Sequence, residues 1–595
     1  WYDAMDPRPD YYRNLPSYSY MEDEDYNRTN PEKAEWARYA WTTHTKEFAN
    51  YQHLNWDRFY NVNYNSPEGR SKYVLEERFV NQNDVNLAGN FKWRAADAFN
   101  LSGGASLKWN RTENYKKIND LLGGRYYVNI DQFAERDFAS NDALIQNDLD
   151  YFLKNGCPQE VVKGDKYGYD YYAQVRKAKA WINGVYDRNN LTLGVSASAG
   201  YESFWREGLM RKGLFAGLDE NGREISYNGK GLTSYDSKGR VISSLGKSEV
   251  SNFLTYSAKL NAAYVIGGSH RLSLNAGYFS DAPTFNQAFV SARTRNSIVD
   301  GLTNIKTVSA DLNYQLSLGG YNLRVTGFYT KIMDQTDVMS FYDDSQQSFT
   351  NFAMTGIDQR HAGVEIGAKM PLFVSGLSLS GVLSLGEYIY TSTPHMVQTV
   401  DNSSEIVRDE DVPYWMSHPS FKTVTAPDGT VVYDEDINGN FIVTKQNKHY
   451  VPSTPQLASE IALNYRTRSY WFFEVNGQYF AHSYLDMNPL YRTSFACKGS
   501  ESNPAVIEYM AAQEEFNPAF LLNFSLGKSW YIRRTYNIGF SLNVNNALNN
   551  RGVKTGGYEQ TRLISSYGKD RYYRFDPKYF YMPGANYMLN IYFRF

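Results

Sequence analysis

The chain has 595 residues and a formal net charge of −3, and it has no basic block that would indicate nucleic-acid binding. An aromatic content of 16%, with 51 tyrosines, accompanies a mean hydropathy of −0.56. This combination suits a large all-β protein or a transmembrane β-barrel, in which only one face of each strand meets lipid, and no apolar run approaches the ~20 residues of a membrane helix.

The first predicted element is a helix over residues 30–55, with Pro31 in its first turn, where the fixed φ of proline suits a helix. We assign residues 1–84 to an extracellular loop region that contains this helix. Only Arg58–Tyr64 (RFYNVNY) alternates between apolar and polar residues in this region. This segment is too short to cross a bilayer at the tilt of barrel strands.

From residue 85 to residue 595 the dominant pattern is an alternation with period 2. In one run Tyr536, Ile538, Phe540, Leu542 and Val544 share one face, with Asn, Gly and Ser between them. Each run has roughly 10 to 14 residues, a length that suits a tilted strand crossing a bilayer core. The sequence therefore predicts membrane-spanning strands.

The connections between these strands alternate in length. Within pairs the turns have roughly two to five residues, and between pairs the loops have roughly 26 to 66. Short periplasmic turns and long extracellular loops are typical of outer-membrane barrels. The predicted fold is all-β, a transmembrane antiparallel β-barrel with these strands: 85–94 with 99–111, 178–187 with 191–204, 253–266 with 271–279, 307–318 with 321–333, 360–371 with 377–390, 456–466 with 471–484, 517–530 with 535–545, and finally 585–595.

The number of predicted strands indicates an incomplete wall. The strand at 85–94 and the last strand both run toward the periplasm, so a barrel that begins and ends there needs an odd number of strands before residue 85. Seven would make about 22, of which about 15 are present in this chain. We expect open edges at 85–94 and 585–595, because a strand edge facing lipid leaves backbone groups unpaired and must be covered in the native barrel.

The C-terminal strand carries a first resemblance to known proteins. It ends in phenylalanine and resembles the signal by which outer-membrane proteins are recognised for insertion, and the residues on its apolar face are Tyr587, Leu589, Ile591, Phe593 and Phe595. The segment NVNNALNNRGVKTGGYEQTR (543–562) resembles the penultimate strand and last loop of TonB-dependent receptors of the SusC-like group of Bacteroidetes. Four other segments are similar to that family: WYDAMDPRPDYYRNLPSY, KINDLLGGRYYVNIDQFAERD, SARTRN and GIDQRHAGVEIG.

The resemblance implies an outer-membrane receptor that imports a nutrient such as a glycan, a peptide or a chelate. It implies a 22-stranded barrel, an N-terminal plug through which TonB acts, and a SusD-like or other surface lipoprotein over the extracellular loops. Outer-membrane lipid and the barrel assembly machinery are further expected partners. The plug, the TonB box and the first strands of the family are not found in this sequence.

Two other functions remain open at this stage. A receptor-like barrel could instead serve as a structural or accessory subunit of a larger outer-membrane assembly or secretion complex. A barrel enzyme has no motif in its favour, since the sequence contains no HExxH, no GxSxG and no phosphate loop. We predict no enzymatic activity and no cofactor.

One loop resembles the first half of a calcium-binding loop, with side-chain oxygens at Asp434, Asp436, Asn438 and Asn440. A calcium loop of this type needs an acidic residue at the twelfth position, where Lys445 stands. The Asn-Gly pair favours a simple hairpin turn. Turns are also predicted at 219–222, 236–239 and 427–429.

Three other sets of residues have both a functional and a structural interpretation. Polar lumen residues could guide a solute or simply fill the interior with paired charges and water: Lys259, Glu365, Lys369, Glu460, Glu474 and Arg594. Loop aromatics could stack on a ring-shaped ligand or pack the loops: Tyr126, Tyr127, Phe341, Tyr342 and Trp415. Cys157 and Cys497 fall in extracellular loops, and nothing in the sequence fixes their separation.

Overall fold

The computed structural model describes residues 8, 9, 11, 31–48, 53–138, 140–343, 346, 348–497, 504–533, 535–561, 563–565 and 572–595. Its main element is an eighteen-stranded antiparallel sheet. Three of these strands lie on the long-loop side. The other fifteen, which we call the barrel wall, pair with one another in chain order.

The wall strands are labelled β1 to β15 in chain order: β1 Leu75–Ala96, β2 Phe99–Asp120, β3 Lys166–Arg188, β4 Leu191–Gly208, β5 Ser251–Ile266, β6 His270–Asp281, β7 Ile305–Leu318, β8 Tyr321–Asp343, β9 Ser348–Pro371, β10 Leu377–Tyr390, β11 Leu457–Arg466, β12 Trp471–Ala481, β13 Ala519–Ile532, β14 Tyr536–Asn545 and β15 Asn586–Arg594.

All seven predicted strand pairs and the final strand are confirmed. The main difference is that several strands extend further on the long-loop side. For example, β1 begins at Leu75 and β3 at Lys166, whereas the sequence predicted starts at 85 and 178. The extensions pack against loops instead of lipid, so Ile118 and Tyr167 are buried there and the apolar–polar alternation is lost.

The prediction of a loop between residues 333 and 360 is wrong. Strands β8 and β9 continue as a ladder in which Val338 pairs with Ala353 and Asp343 with Ser348. Residues 350 to 354 are buried on both faces of this extension. A strand covered on both faces has no alternation to detect in the sequence.

The wall has two edges. Strand β1 pairs only with β2, and β15 pairs only with β14. No ladder joins β1 to β15 within the described part of the chain. The expected open edges are therefore present.

The helices in the described residues are α1 Pro31–Phe48, α2 Trp56–Tyr64, α3 Gln132–Asp137, α4 Leu149–Asn155, α5 Phe285–Ala288 and α6 Pro504–Ala511. Helix α1 confirms the predicted helix over Pro31–Phe48. Residues 30 and 49–52 of the predicted range lie outside the described residues, and residues 53–55 are not helical. The alternating segment Arg58–Tyr64 belongs to α2, and the Asn55 side chain caps this helix by accepting from the Arg58 N–H at 2.9 Å. No helix in the described ranges is long and apolar enough to span a membrane.

The long loops carry the remaining short elements. Turns of 3₁₀ helix occur at Pro67–Gly69, Gly213–Phe215, Pro489–Arg492 and Phe495–Cys497. The loop strands are Tyr127–Val128, Glu160–Val161, Ser226–Tyr227, Lys230–Gly231, Ser234–Tyr235, Val241–Ile242, Gly246–Lys247, His395–Val400, Ile406–Asp411, Ser417–Phe421, Thr423–Thr425, Val431–Tyr433, Val443–Lys448, Lys554–Tyr558, Leu563–Ser565, Tyr572–Arg574 and Lys578–Tyr581.

The predicted loop turns are observed. Thr423–Thr425 pairs with Val431–Tyr433 across Pro427-Asp428-Gly429, and Ser234–Tyr235 pairs with Val241–Ile242 across residues 236–239. At 219–222, the Gly222 N–H donates to the Asp219 carbonyl at 3.1 Å. The opening segment WYDAMDPRPDYYRNLPSY lies outside the described residues, except for Arg8, Pro9 and Tyr11.

The buried hydrophobic clusters lie mainly among the long loops and the strand ends that meet them. We call this assembly the loop cap: the described parts of residues 121–165, 209–250, 282–304, 391–456, 482–518 and 546–585, with the strand ends that they contact. The described structure therefore consists of a single-layered barrel wall and, on its long-loop side, the loop cap with its buried hydrophobic clusters.

Candidate functional site

The outer face of the wall presents a band of exposed apolar side chains. On β5 the exposed residues include Leu254, Tyr256, Leu260 and Tyr264, which are separated by two or four positions and so share one face. The same pattern holds for the predicted C-terminal set, whose members are all exposed: Tyr587, Leu589, Ile591, Phe593 and Phe595. Such a continuous apolar surface is what lipid covers in a barrel.

Aromatic rings concentrate where this band meets the short turns. Tyr536 of β14 stacks on Phe593 of β15, with ring centroids 5.8 Å apart. The rings of Tyr470, in the turn between β11 and β12, and Tyr531, near the end of β13, have centroids 5.0 Å apart. Aromatic residues of this kind mark the boundary between hydrocarbon and headgroups.

The inner face of the wall carries a ladder of hydrogen-bonded amides and carboxylates. Asn275 of β6 donates to Asp311 of β7 at 2.7 Å and accepts from Asn261 of β5. Asn313 donates to the same Asp311 carboxylate and accepts from Thr326 of β8 at 2.7 Å. Because each member is bonded to a neighbouring strand, the ladder fixes a polar surface across four strands.

Two cavities lie over this ladder. The first has a volume of about 350 Å³ and is lined by Lys259, Asn275 and Asp311. The second has a volume of about 660 Å³ and shares Asn275 and Asp311 with the first, and it adds Glu365 and His361. A solute that passes along the inner face would meet this mixture of amides and charges.

The six predicted lumen residues are spread over the wall. Lys259 and Glu365 line the two cavities. Glu460 accepts from Gln478 at 2.7 Å, and Glu474 accepts from Asn476 at 3.3 Å. Lys369 is exposed near the short turns, and Arg594 lies 5.5 Å from the Tyr592 ring. The wall ion pairs in the described ranges, such as Lys177–Glu202 and Arg360–Glu387, include none of the six.

A buried ion network organises the loop cap around Glu559. Its carboxylate accepts from both terminal nitrogens of Arg492, from Arg574, and from the Asn488 backbone N–H at 2.7 Å. The same two arginines donate to the Ala512 carbonyl just after α6, at 2.7 and 2.9 Å. Cations near the C-terminal end of a helix are stabilised by its dipole, so the network ties the loop at 546–585 to α6 and to the 3₁₀ turn at Pro489–Arg492.

Two histidines of the cap share a hydrogen bond. The Nδ1 of His449 lies 3.0 Å from the Trp415 carbonyl and must donate to it, which leaves its Nε2 to accept from Nδ1 of His418 at 2.8 Å. Because its Nε2 accepts, the His449 ring is neutral in this arrangement. Burial, together with the positive charge of Arg492, lowers the pKa of His418 to about 4 and that of His449 to about 3.

The predicted loop aromatics serve mainly to pack the cap. Phe341 and Trp415 are buried in one cluster with Phe352 and Met487, and Tyr127 is buried in another cluster. Tyr126 and Tyr342 are partly exposed. The packing interpretation is confirmed for the three buried rings.

Two of the four predicted cation ligands, Asp434 and Asp436, accept hydrogen bonds from the protein. Asp436 accepts from the backbone N–H groups of Asn438 and Asn440 at 2.8 and 2.9 Å, and Asp434 accepts from Lys422 at 2.6 Å. No group of three or more His, Cys, Asp or Glu side chains in the described residues is placed to hold a metal. A bound cation at this turn stays a prediction.

Several organising residues were not predicted from the sequence. Arg492 and Glu559 are far apart in the chain, and neither belongs to a recognisable motif. Arg295 falls within the SARTRN segment, but nothing in its sequence distinguishes it from Arg293. The two cysteines are unpaired, with Cys157 exposed and Cys497 buried.

The paired wall, its apolar outer face and its polar inner face define a transmembrane antiparallel β-barrel with long loops on one side. A scan against protein-family models finds no match, and neither does a search of curated proteins. The chain shows a distant likeness to solved transporters and receptors, and three of them are described below.

The copper transporter OprC is 12% identical to this chain, with a TM-score of 0.47 over 87% of this chain and 57% of its own. The ferric yersiniabactin uptake receptor FyuA from Yersinia pestis is 13% identical, with a TM-score of 0.44 over 87% of this chain and 54% of its own. The ferric citrate transporter FecA is 11% identical, with a TM-score of 0.44 over 86% of this chain and 55% of its own. The chain thus spans a little over half the length of these structures.

Proposed function

We propose that this chain forms most of the barrel wall and the surface loops of a TonB-dependent receptor in the outer membrane of a Gram-negative bacterium. The proposed activity is import of a nutrient, which is a glycan, a peptide or a chelate. The observation that carries the proposal is the width of the wall and the chemistry of its inner face.

The number of strands in the barrel wall indicates a large lumen. Fifteen strands pair in succession without β15 meeting β1 in the described residues, so the closed barrel needs more than fifteen. Side chains alone fill a barrel of about 8 strands, whereas barrels of about 16 to 18 leave a water channel and those of about 22 hold a plug. The hydrogen-bonded amides between β5 and β8 suit a surface that contacts water, a plug or a polar solute.

The proposal includes partners that act on the two sides of the membrane. A plug upstream of Trp1 would connect to TonB in the periplasm. A surface lipoprotein of the SusD kind would sit on the loop cap, and the barrel assembly machinery would recognise β15. The resemblance of the last loop and of SARTRN to the SusC-like group supports this choice. The proposal assigns no catalytic role to the chain.

The test uses the full-length gene product. A deletion strain is complemented with the intact gene, and growth is measured on glycans, peptides and chelates in hosts with and without TonB. We expect growth on one nutrient class to require both the gene and TonB, and a gene lacking the TonB box to fail.

Growth that depends neither on the gene nor on TonB would contradict the proposal. If deletion instead impaired the assembly or secretion of another outer-membrane protein, the accessory-subunit function would replace it.

A further inference from the structure

A cavity of about 330 Å³ lies within the loop cap, apart from the inner-face ladder. Four pieces of chain form it: the hairpin around residues 236–242, the segment 290–301, the upper part of β9, and the hairpin of strands His395–Val400 and Ile406–Asp411. Its volume is in the range of about 300–1,000 Å³ that is usual for small-molecule sites. Since loops distant in sequence build the cavity, it exists only in the folded cap.

Arg295 lines this cavity and is 1% exposed. Its Nη1 donates to the Asp401 carbonyl at 2.8 Å, and its Nη2 has one long contact, at 3.3 Å, with Thr399 Oγ1. Its Nε has no hydrogen-bond partner among the described residues. The edge of the guanidinium that carries Nε and Nη2 is therefore largely unused, and this is one of the edges that bind carboxylates with two parallel hydrogen bonds.

A second polar atom in the same cavity also lacks a partner. Ser404 lines the cavity, and its buried Oγ makes no hydrogen bond in the described structure. Buried polar groups without partners are uncommon in folded proteins, and each one calls for an explanation such as a ligand or water. Two of them on one cavity point to a polar group that both could reach.

Most charged side chains around the cavity have a close partner of opposite charge, and Arg295 is the exception. Lys238 and Arg240 are neutralised by Asp300 and Asp236 at 2.7 and 2.6 Å, and His395 contacts Asp409 at 2.8 Å. Arg295, by contrast, has only the Asp401 carboxylate at 3.5 Å. The remaining walls are largely apolar, including Ile242, Val290, Ile298, Val299, Val397 and Ile406.

We propose that this cavity binds a singly charged carboxylate that carries an apolar group, with the Arg295 guanidinium holding the carboxylate and Ser404 Oγ donating to one of its oxygens. The apolar body of the ligand packs against the valine and isoleucine walls. Two sources present this chemistry, a small free acid and the C-terminus of a peptide with an apolar last residue. The site does not depend on transport, because binding needs neither TonB nor a plug.

Binding is measured by titration calorimetry on the detergent-purified full-length gene product. The probes are phenylacetate with its uncharged amide, and the tripeptide Ala-Ala-Phe with a free or an amidated C-terminus. We expect the acid of at least one pair to bind at least about tenfold more tightly than its amide, because the amide cannot form the charge-assisted pair. A preference in the tripeptide pair alone identifies a peptide C-terminus, and a preference for phenylacetate identifies a free acid.

Matched variants locate the site. Arg295→Gln should weaken acid binding at least about tenfold, whereas Arg293→Gln should leave it unchanged, because Arg293 is exposed in the same segment and lies 5.7 Å from the Tyr169 ring instead of lining the cavity. Ala353→Leu fills the cavity without altering Arg295 and should also abolish binding.

Equal binding of acid and amide in both pairs, or no binding of either acid at millimolar concentration, would overturn the proposal. So would an equal loss in the variants at positions 293 and 295. The comparison of acid with amide on the unaltered protein remains decisive if Arg295→Gln does not fold.

Discussion

Glu559 is 2% exposed and holds two arginines in the interior of the loop cap. A buried ion pair contributes little net stability, but removing one partner leaves an unpaired charge at a cost of about 3–5 kcal/mol. We therefore predict that Glu559→Gln opens the cap, because two guanidinium groups would then share a neutral amide. Limited proteolysis of the purified protein should show much faster cleavage within residues 482–518 and 546–585.

Glu387 supplies the matched control for this prediction. Its carboxylate also lies between two cations, Arg360 and Lys448, but it is 37% exposed. Surface pairs contribute about 0–1 kcal/mol, so Glu387→Gln should leave the proteolysis rate nearly unchanged. If Glu559→Gln and Glu387→Gln gave the same proteolysis rate, burial of Glu559 would not explain its contribution to the stability of the loop cap.

The histidine pair makes the loop cap sensitive to acid. The pKa of His418 and that of His449 lie below the ordinary value of 6.5 in the folded protein. Their contribution to stability is therefore fully present above pH 6.5 and is lost as the pH falls through the folded values, by up to about 1.4 kcal/mol per ring for each pH unit. We predict faster proteolysis of the cap at pH 5 than at pH 7.5, and a weaker effect of pH in His418→Gln.

The ionisation of Asp486 has the opposite effect on the stability of the loop cap. Burial raises the pKa of its carboxyl to about 6, so its contribution is present at low pH and is lost as the pH rises toward 6 and above. Burial also raises the pKa of Asp337 and that of Glu410 in the cap. The two histidine pKa values are shifted further, so acidification should still destabilise the cap. The variant Asp486→Asn removes one opposing group and should steepen the acid sensitivity. A cap that is equally stable at pH 5 and pH 7.5 would rule out neutral histidines.

At the scale of single elements, β15 combines an edge position with an exposed apolar face. Phe593 stacks on Tyr536 of β14, and Phe595 follows it on the same face. We predict that Phe593→Ala with Phe595→Ala reduces the amount of protein inserted into the outer membrane, since both the proposed insertion signal and the interfacial aromatic contacts are lost. Met588→Ala serves as the control, because Met588 is also exposed but lies on the opposite face of β15.

The measurement is the fraction of protein that runs as the folded, heat-modifiable form after membrane fractionation. Equal yields from the double variant and the Met588 control would show that the apolar face of β15 is dispensable for assembly.

The sequence predicted strands well wherever lipid imposes an alternation. The strand predicted at 377–390 is β10, Leu377–Tyr390, because its outer face must be apolar and its inner face polar. Above the membrane no lipid imposes this alternation, so the sequence predicts a loop where the upper parts of β8 and β9 form a ladder. Arg58–Tyr64 alternates by chance and is part of helix α2, whose start is fixed by the Asn55 cap.

The candidate sites were far less predictable. Glu559 meets Arg492, and Arg295 meets Asp401, only after loops distant in sequence fold together. No local spacing records such contacts. The turn at Asp436 could be predicted from the sequence, because its hydrogen bonds join residues only two and four positions apart.

At the scale of the whole molecule, the two open edges determine what the native barrel must contain. A lipid-facing edge exposes unpaired N–H and C=O groups at a cost of several kcal/mol each, so β1 and β15 need partners. Direct pairing of β15 with β1 would give a fifteen-stranded barrel, and intervening strands would give a wider one. We predict that seven further strands of the full-length gene product separate the two edges.

Cysteine crosslinking in the full-length gene product distinguishes these cases, in a background where Cys157→Ser and Cys497→Ala remove the native thiols. Paired residues in antiparallel strands have Cα atoms about 4.5–5.5 Å apart, which is within reach of a disulfide. Leu542 pairs with Leu589, and Phe540 pairs with Ile591, so cysteines at either pair should crosslink under oxidation. Cysteines at Leu589 or Ile591 combined with cysteines along β1, at Val85, Leu87, Gly89 or Phe91, should not crosslink. Efficient crosslinking between β15 and β1 would mean that these fifteen strands close on themselves, and the lumen would then be narrower than a plugged receptor requires.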